Sequence, residues 1–139
     1  MSPSTTAWPP EHPYPAAVED CYAAFVRLTE SATELGIEPG HVAVYGESAG
    51  GGLAAAGNLL SRDRSGPHTA FQVLGIPELD ERLQTESMPT YADTPVRHHR
   101  NAVASWTARL GSLKPGSPAV PPYAAPARAH NLSDLPPPS

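Results

Sequence analysis

The sequence predicts an α/β fold with a parallel sheet, and three observations carry that prediction. Helical and strand patterns alternate along the chain in the order helix, strand, helix, strand. The two strand patterns, His41–Tyr45 and Ala70–Ile76, are short apolar runs without polar alternation, which suits strands covered on both faces. The helix between them is rich in glycine and alanine, so it can lie close against a sheet. Two strands are too few for a sheet that stands alone, so a larger one is expected around them.

Pro15 to Leu35 reads as the first helix. Val18, Cys21, Tyr22, Phe25, Leu28, Ala32 and Leu35 recur at i, i+3, i+4, i+7 spacing, with most charged residues elsewhere. Pro15 suits a first helical position, and Gly36 suits the left-handed residue that closes a helix. Glu38-Pro39-Gly40 is a turn, His41–Tyr45 the first strand, and Gly46 its end. A second helix is predicted from Ser48 to about Arg62, stopped by Ser65-Gly66-Pro67, with the second strand following. Pro77 to Pro95 is a polar loop longer than compact domains ordinarily carry without a functional reason. Asn101 is the expected cap of a third helix in which Val103, Trp106 and Leu110 share a face, ended by Gly111.

Composition sets the limits. The 139 residues make one domain by length, with acidic residues outnumbering basic ones 14 to 9. That balance argues against a nucleic-acid binder, which needs a basic footprint. No apolar run approaches the ~18 residues of a membrane span. The first residues lack the charge and apolar core of a signal peptide, and a single cysteine excludes an internal disulfide framework. A cytoplasmic chain is the expectation. Proline, 18 residues in all, is concentrated at the two ends, and Leu, Ile, Val and Phe together make up only about a sixth of the chain. The predicted organisation is therefore a proline-rich segment 1–14, a folded core 15–112, and a proline-rich segment 113–139, with both ends extended or disordered.

Gly46-Glu47-Ser48-Ala49-Gly50 matches G-x-S-x-G, the nucleophile elbow. A serine on a sharp strand-to-helix turn holds a strained backbone, and glycine two residues either side is expected to remove collisions there. The Ser48 hydroxyl then stands clear of the sheet, and the Ala49 backbone N–H lies where charge develops on an attacked carbonyl oxygen. The bare pattern arises by chance in roughly one chain of this length in twenty, so its context decides: a strand before it and a small-residue helix after it. Without chemistry, the same residues make a glycine-rich turn with an idle serine. Gly50-Gly51-Gly52-Leu53-Ala54-Ala55 also fits a dinucleotide fingerprint, but Glu47-Ser48-Ala49 separate it from the strand it should follow.

Taken with His12-Pro13-Tyr14-Pro15-Ala16-Ala17, the Gly46–Gly51 run resembles the hormone-sensitive-lipase-like esterases of the α/β-hydrolase fold. Gln72–Asp80 resembles that family's strand and exit loop after the nucleophile helix, and Pro122–Ala129 with Asn131–Pro137 resembles its segment leading toward the catalytic acid. The resemblance implies hydrolysis of small-molecule carboxylic esters through a Ser48 acyl-enzyme, with no metal and no cofactor. It transfers Ser48 and the Ala49 N–H directly, with Gly46, Glu47 and Gly50 forming the elbow.

Other parts of the family pattern are missing. No His-Gly-Gly-Gly-type oxyanion run precedes the elbow; Thr6-Ala7-Trp8-Pro9-Pro10 stands where the preceding strand should end. The family's acid and histidine are expected after Leu135-Pro136-Pro137. The resulting expectation is a hydrolase fragment truncated at both ends, with little or no activity alone. Ser48, Asp80 and His98 or His99 do follow the Ser…Asp…His order, although solvated polar residues are the simpler reading of the last three. His98-His99 lacks a third ligand at metal spacing, and His12, His41, His68 and His130 are isolated surface or loop residues. Cys21 on the apolar stripe reads as core, and Trp106 as packing beside the region that borders the family's substrate pocket. The first strand's unpaired edge invites a second copy or a complementing chain, and a urea melt is expected to show no single cooperative transition. A reading from another class is a non-catalytic interaction fragment or pseudoenzyme.

Overall fold

The computed structural model describes residues 8–90, 94–95 and 98–137. Helix α1 (Ala16–Glu30) carries Glu19 in its first turn and Arg27 in its last, charges that complement the helix dipole. It stops five residues before the predicted Leu35. Ser31 to Gly36 continue as turns, with the Ile37 N–H on the Ala32 carbonyl (2.8 Å) and Gly36 at φ +67°, so the glycine closes the turns that follow the helix. Strand β1 is Ala43–Glu47, two residues later than predicted, because Pro39–His41 forms a 3-10 turn and Gly46 and Glu47 still pair with the next strand. Helix α2 (Ala49–Asp63) and strand β2 (Phe71–Gly75) fall where expected.

The two strands pair in parallel, Ala43 with Phe71 through Glu47 with Gly75, and α2 makes the crossover between them. Leu59, Leu60, Ala54 and Ala56 are buried along α2, as its small-residue face predicts. Burial on both faces of the strands was expected and is not found: Tyr45 is 65% exposed. Among the described residues the sheet has two strands, and α1 and α2 pack on each other, so much of β1 remains uncovered.

A four-residue helix α3 (Ser87–Thr90) interrupts the predicted long loop, whose residues 91–93 lie outside the described set. Helix α4 (His99–Leu110) is capped by His98, not Asn101. The Asn101 N–H donates to His98 Nδ1 (3.3 Å) while the Asn101 side chain accepts from the His98 N–H (2.9 Å). Asn101 thus sits one turn inside, as the reciprocal member of a capping box. The buried face of α4 is Ala102, Trp106 and Leu110; Val103 is exposed, because i+4 spacing from Trp106 selects Ala102.

The proline-rich C-terminal segment has no strand, yet it is built into the core. Val120, Ala124 and Ala125 are buried against Trp106 and Leu110, and Pro126–Arg128 forms a second 3-10 turn. Polar ties hold it. Arg62 donates to the carbonyls of Asn131 and Ser133. Tyr123 Oη donates to Asp63 (2.7 Å), and Arg128 pairs with the fully buried Glu81. Asn58, Thr69 and Gln72 form a buried chain of hydrogen bonds that ends on the Pro136 carbonyl. Disorder therefore does not describe this end: short apolar residues between prolines fill the space beside α4. Tyr14 packs against both buried clusters and its N–H donates to the Arg109 carbonyl (2.7 Å), so residues 12–14 are fixed as well. Residues 1–7 lie outside the described set.

Candidate active site

Ser48 stands at the junction of β1 and α2 with φ +50° and ψ −118°, a conformation that L-residues avoid unless their surroundings impose it. Its backbone is tied on both sides: the Ser48 N–H donates to Gly75 (2.9 Å), and its carbonyl accepts from Gly52 (3.1 Å) and Glu78 (3.0 Å). Ala49 opens α2, so its N–H is among the first four of the helix, which have no intrahelical acceptor. Glu47 is the last residue of β1 and receives the Tyr45 hydroxyl; it lies on the exposed side of the strand.

The glycines divide differently from the motif's symmetry. A Cβ on Gly46 would lie 2.2 Å from the Gly50 carbonyl oxygen, so this position accepts only hydrogen. Gly50 has open space around its would-be Cβ, so the expected collision there is absent. The close approaches fall on the next turn instead. A Cβ on Gly51 would meet Pro77 at 2.9 Å, and one on Gly52 would meet the Glu78 carbonyl at 2.3 Å. These small residues let the loop after β2 cross directly over the start of α2. They sit inside a helical turn and not on a loop leaving the strand, which removes the dinucleotide reading.

The same loop builds a pocket of about 670 Å³ in front of Ser48, walled by Ile76, Pro77, Leu83, Met88 and Trp106, with Glu78, Asp80 and Asn101 as its polar members. The Ser48 hydroxyl donates to Glu78 Oε1 at 3.2 Å. Asp80 shares the pocket, but its carboxylate is engaged by Arg82 (2.7 and 2.9 Å), whose hydrogen bonds hold it below the usual carboxylate range. No histidine is among the residues lining this pocket. His98 is spent on capping α4, and the His99 Nδ1 is buried without a hydrogen-bond partner among the described residues. The structure thus brings Ser48 and Asp80 into one pocket but couples neither to an imidazole.

Behind the pocket, Arg109 stacks on Trp106 at 5.0 Å, with its Nη1 buried beside Gly52. Burial pulls its guanidinium down, and the charge of Glu78, then the Cys21 thiol, act in the opposite direction. Cys21 lines a separate apolar groove of about 280 Å³ with Tyr22, Phe25, Val44 and Tyr45; burial and then Asp20 push its thiol up, away from nucleophilic duty. His41 rests on Glu38 (2.6 Å) at the surface, and His12, His68 and His130 are exposed. Among the described residues no three His, Cys, Asp or Glu side chains converge as metal ligands would. No described helix is long and apolar enough to cross a membrane. Sequence reasoning placed Glu78 in the exit loop, as a possible acid of the dinucleotide reading and not beside Ser48, and missed Arg109. They stand apart from Ser48 in sequence, and only the crossing of the loop over α2 joins them.

A strand-to-helix serine elbow on a parallel sheet, with a loop pocket before it, defines the α/β-hydrolase class. A family model described as alpha/beta hydrolase fold matches residues 7–138, and the chain belongs to that family. Within it, the chain falls among the hormone-sensitive-lipase-like esterases. It is 39% identical over 128 residues to Esterase LipI of Mycobacterium tuberculosis, covering 92% of this chain and 39% of that protein. It is 44% identical over 87 residues to Carboxylesterase NlhH of the same organism, covering 63% and 27%. The solved structure titled Bacterial Heroin Esterase superposes with a TM-score of 0.92 at 49% identity, covering 96% of this chain and 43% of that one. The chain spans about two fifths of the length of LipI and of the heroin esterase.

Proposed function

We propose that this chain carries the nucleophile and one oxyanion donor of a serine carboxylester hydrolase acting on small-molecule esters. The supporting observation is the backbone of Ser48, held at positive φ where Gly46 admits no side chain. The esterase names of the relatives point to the same chemistry. Ser48 Oγ attacks the ester carbonyl and loses its proton to a base, and the resulting oxyanion is met by the Ala49 N–H. Collapse expels the alcohol, which takes the proton back. Water then adds to the acyl-Ser48 ester, and the carboxylic acid leaves with Ser48 restored. No imidazole is among the residues lining the described pocket, so turnover by these residues alone is slow or absent, and a complementing segment or chain supplies the histidine base.

The absence of a histidine from that pocket favours a second reading, a non-catalytic interaction module that keeps the elbow as scaffold. Labelling with a fluorophosphonate separates the two. Stoichiometric labelling that vanishes in Ser48→Ala supports the hydrolase reading. Labelling of this chain no faster than that of an unfolded control overturns it.

A further inference from the structure

We propose that Glu78 is a positioning residue for the nucleophile: its carboxylate holds the Ser48 hydroxyl in the orientation from which it attacks. This rests on reading Ser48 as a nucleophile, but its own evidence is separate. Glu78 meets Ser48 twice, receiving its hydroxyl at Oε1 (3.2 Å) and donating its own N–H to the Ser48 carbonyl (3.0 Å). A side chain tied to the elbow by its own backbone has little freedom to leave it. The approach is enforced from below, because the Glu78 carbonyl occupies the space that a Cβ on Gly52 would need. A cation stands behind it: Arg109 Nη1 is buried beside the same glycine, and the charges of Arg109 and Glu78 attract.

The chemistry follows from donor and acceptor roles. A serine hydroxyl has one proton and two lone pairs, and a free hydroxyl samples three rotamers. An anionic acceptor fixes the resting rotamer and leaves the lone pairs for an incoming carbonyl carbon, and the proton passes from this bond to the base as Oγ attacks. Because the acceptor is ionised, the bond is stronger than a neutral one, and its loss is worth about a tenfold or larger change in rate.

The test pairs a kinetic and a spectroscopic readout on this chain. Fluorophosphonate labelling rates are compared for wild type, Glu78→Ala, the shape-conserving Glu78→Met, and Glu78→Gln, whose amide oxygen can still accept. Ala and Met are expected to label about tenfold more slowly, with Gln recovering part of the rate. In parallel, the Ser48 β-carbon resonance, assigned with Ser48→Ala in protein labelled at serine, is expected to shift or broaden in Ala and Met and to return toward wild type in Gln. Ala and Met variants that match wild type in rate and resonance overturn the proposal. If wild type itself is not labelled, the hydrolase reading fails for this chain, and the resonance alone decides whether Glu78 holds Ser48.

Discussion

The two glycines of the elbow, equivalent in the motif, should respond oppositely to the same added methyl group. In Gly46→Ala the new Cβ lies 2.2 Å from the Gly50 oxygen, 2.4 Å from its carbonyl carbon and 2.8 Å from the Gly51 nitrogen. All three are backbone atoms of the first turn of α2, so no side chain can swing aside. Relief requires moving the helix start, which the Gly52 and Glu78 bonds to the Ser48 carbonyl resist. Overpacking against yielding side chains costs about 1–3 kcal/mol, so a rigid backbone clash belongs at or above about 3 kcal/mol. Gly50→Ala meets nothing within 4 Å and replaces glycine in a helix, a gain of up to about 1 kcal/mol. Amide hydrogen exchange of peptides spanning β1 and α2 reads both changes without requiring a two-state melt. At about 1.36 kcal/mol per decade, Gly46→Ala should exchange more than about a hundredfold faster, and Gly50→Ala somewhat more slowly than wild type. Equal exchange in Gly46→Ala, or destabilisation by Gly50→Ala, would refute this account of the elbow.

Two further perturbations test the packing of the C-terminal segment. Arg128→Ala strands the buried Glu81 carboxylate, whose Oε2 already lacks a partner among the described residues. A loss of about 3 kcal/mol or more is expected, measured by exchange of amides near residues 116 and 126–129, with Glu81→Leu/Arg128→Met recovering most of it. Tyr123→Phe removes the hydroxyl from Asp63, whose carboxylate is held below its usual range by Arg62 and then by Tyr123. A lowered carboxylate stabilises the fold above its unfolded value near pH 4, and that contribution is lost as pH falls through the folded value. The variant should therefore lose at most about 1 kcal/mol at pH 7, since the pair is substantially exposed, and converge with wild type at about pH 2 in amide-exchange protection around residues 63 and 123. A penalty that persists in acid would assign the loss to packing.

Local grammar made the elbow legible before any coordinates. Strand, G-x-S-x-G and a small-residue helix lie within one stretch of chain, and each constraint acts between near neighbours. What sequence reading misplaced involved competition between local rules. His41 and Val42 have strand character, but Pro39 and Gly40 start a 3-10 turn that delays β1 to Ala43. Asn101 is a good cap by composition, yet His98 takes that position and Asn101 serves it from one turn inside. The Glu78 contact to Ser48 and the Arg128 pair with Glu81 were invisible, because nothing in either residue's neighbourhood announces a partner tens of residues away. The C-terminal segment misled by composition: proline signals extended chain, but the alanines and Val120 between the prolines are what α4 packs upon.

That last packing sets a timetable for synthesis. Trp106 and Leu110 have only Tyr14, Leu83 and Leu113 as apolar cover until Val120, Ala124 and Ala125 are made, and the Asn58–Gln72 chain finds its final acceptor only at Pro136. At roughly 5–20 residues per second, the nascent polypeptide carries an incompletely covered indole and an unfinished polar network for a period on the order of seconds. The packing of α4 is thus incomplete until the end of this stretch emerges, and a ribosome stalled between Leu110 and Val120 would display a sticky helix held from the earlier chain only by Tyr14 and Leu83. Chaperones that bind aromatic, aliphatic segments have their opportunity in that interval, and a crosslinker placed at Trp106 in stalled chains of increasing length would show contact with them ending once Ala125 is free.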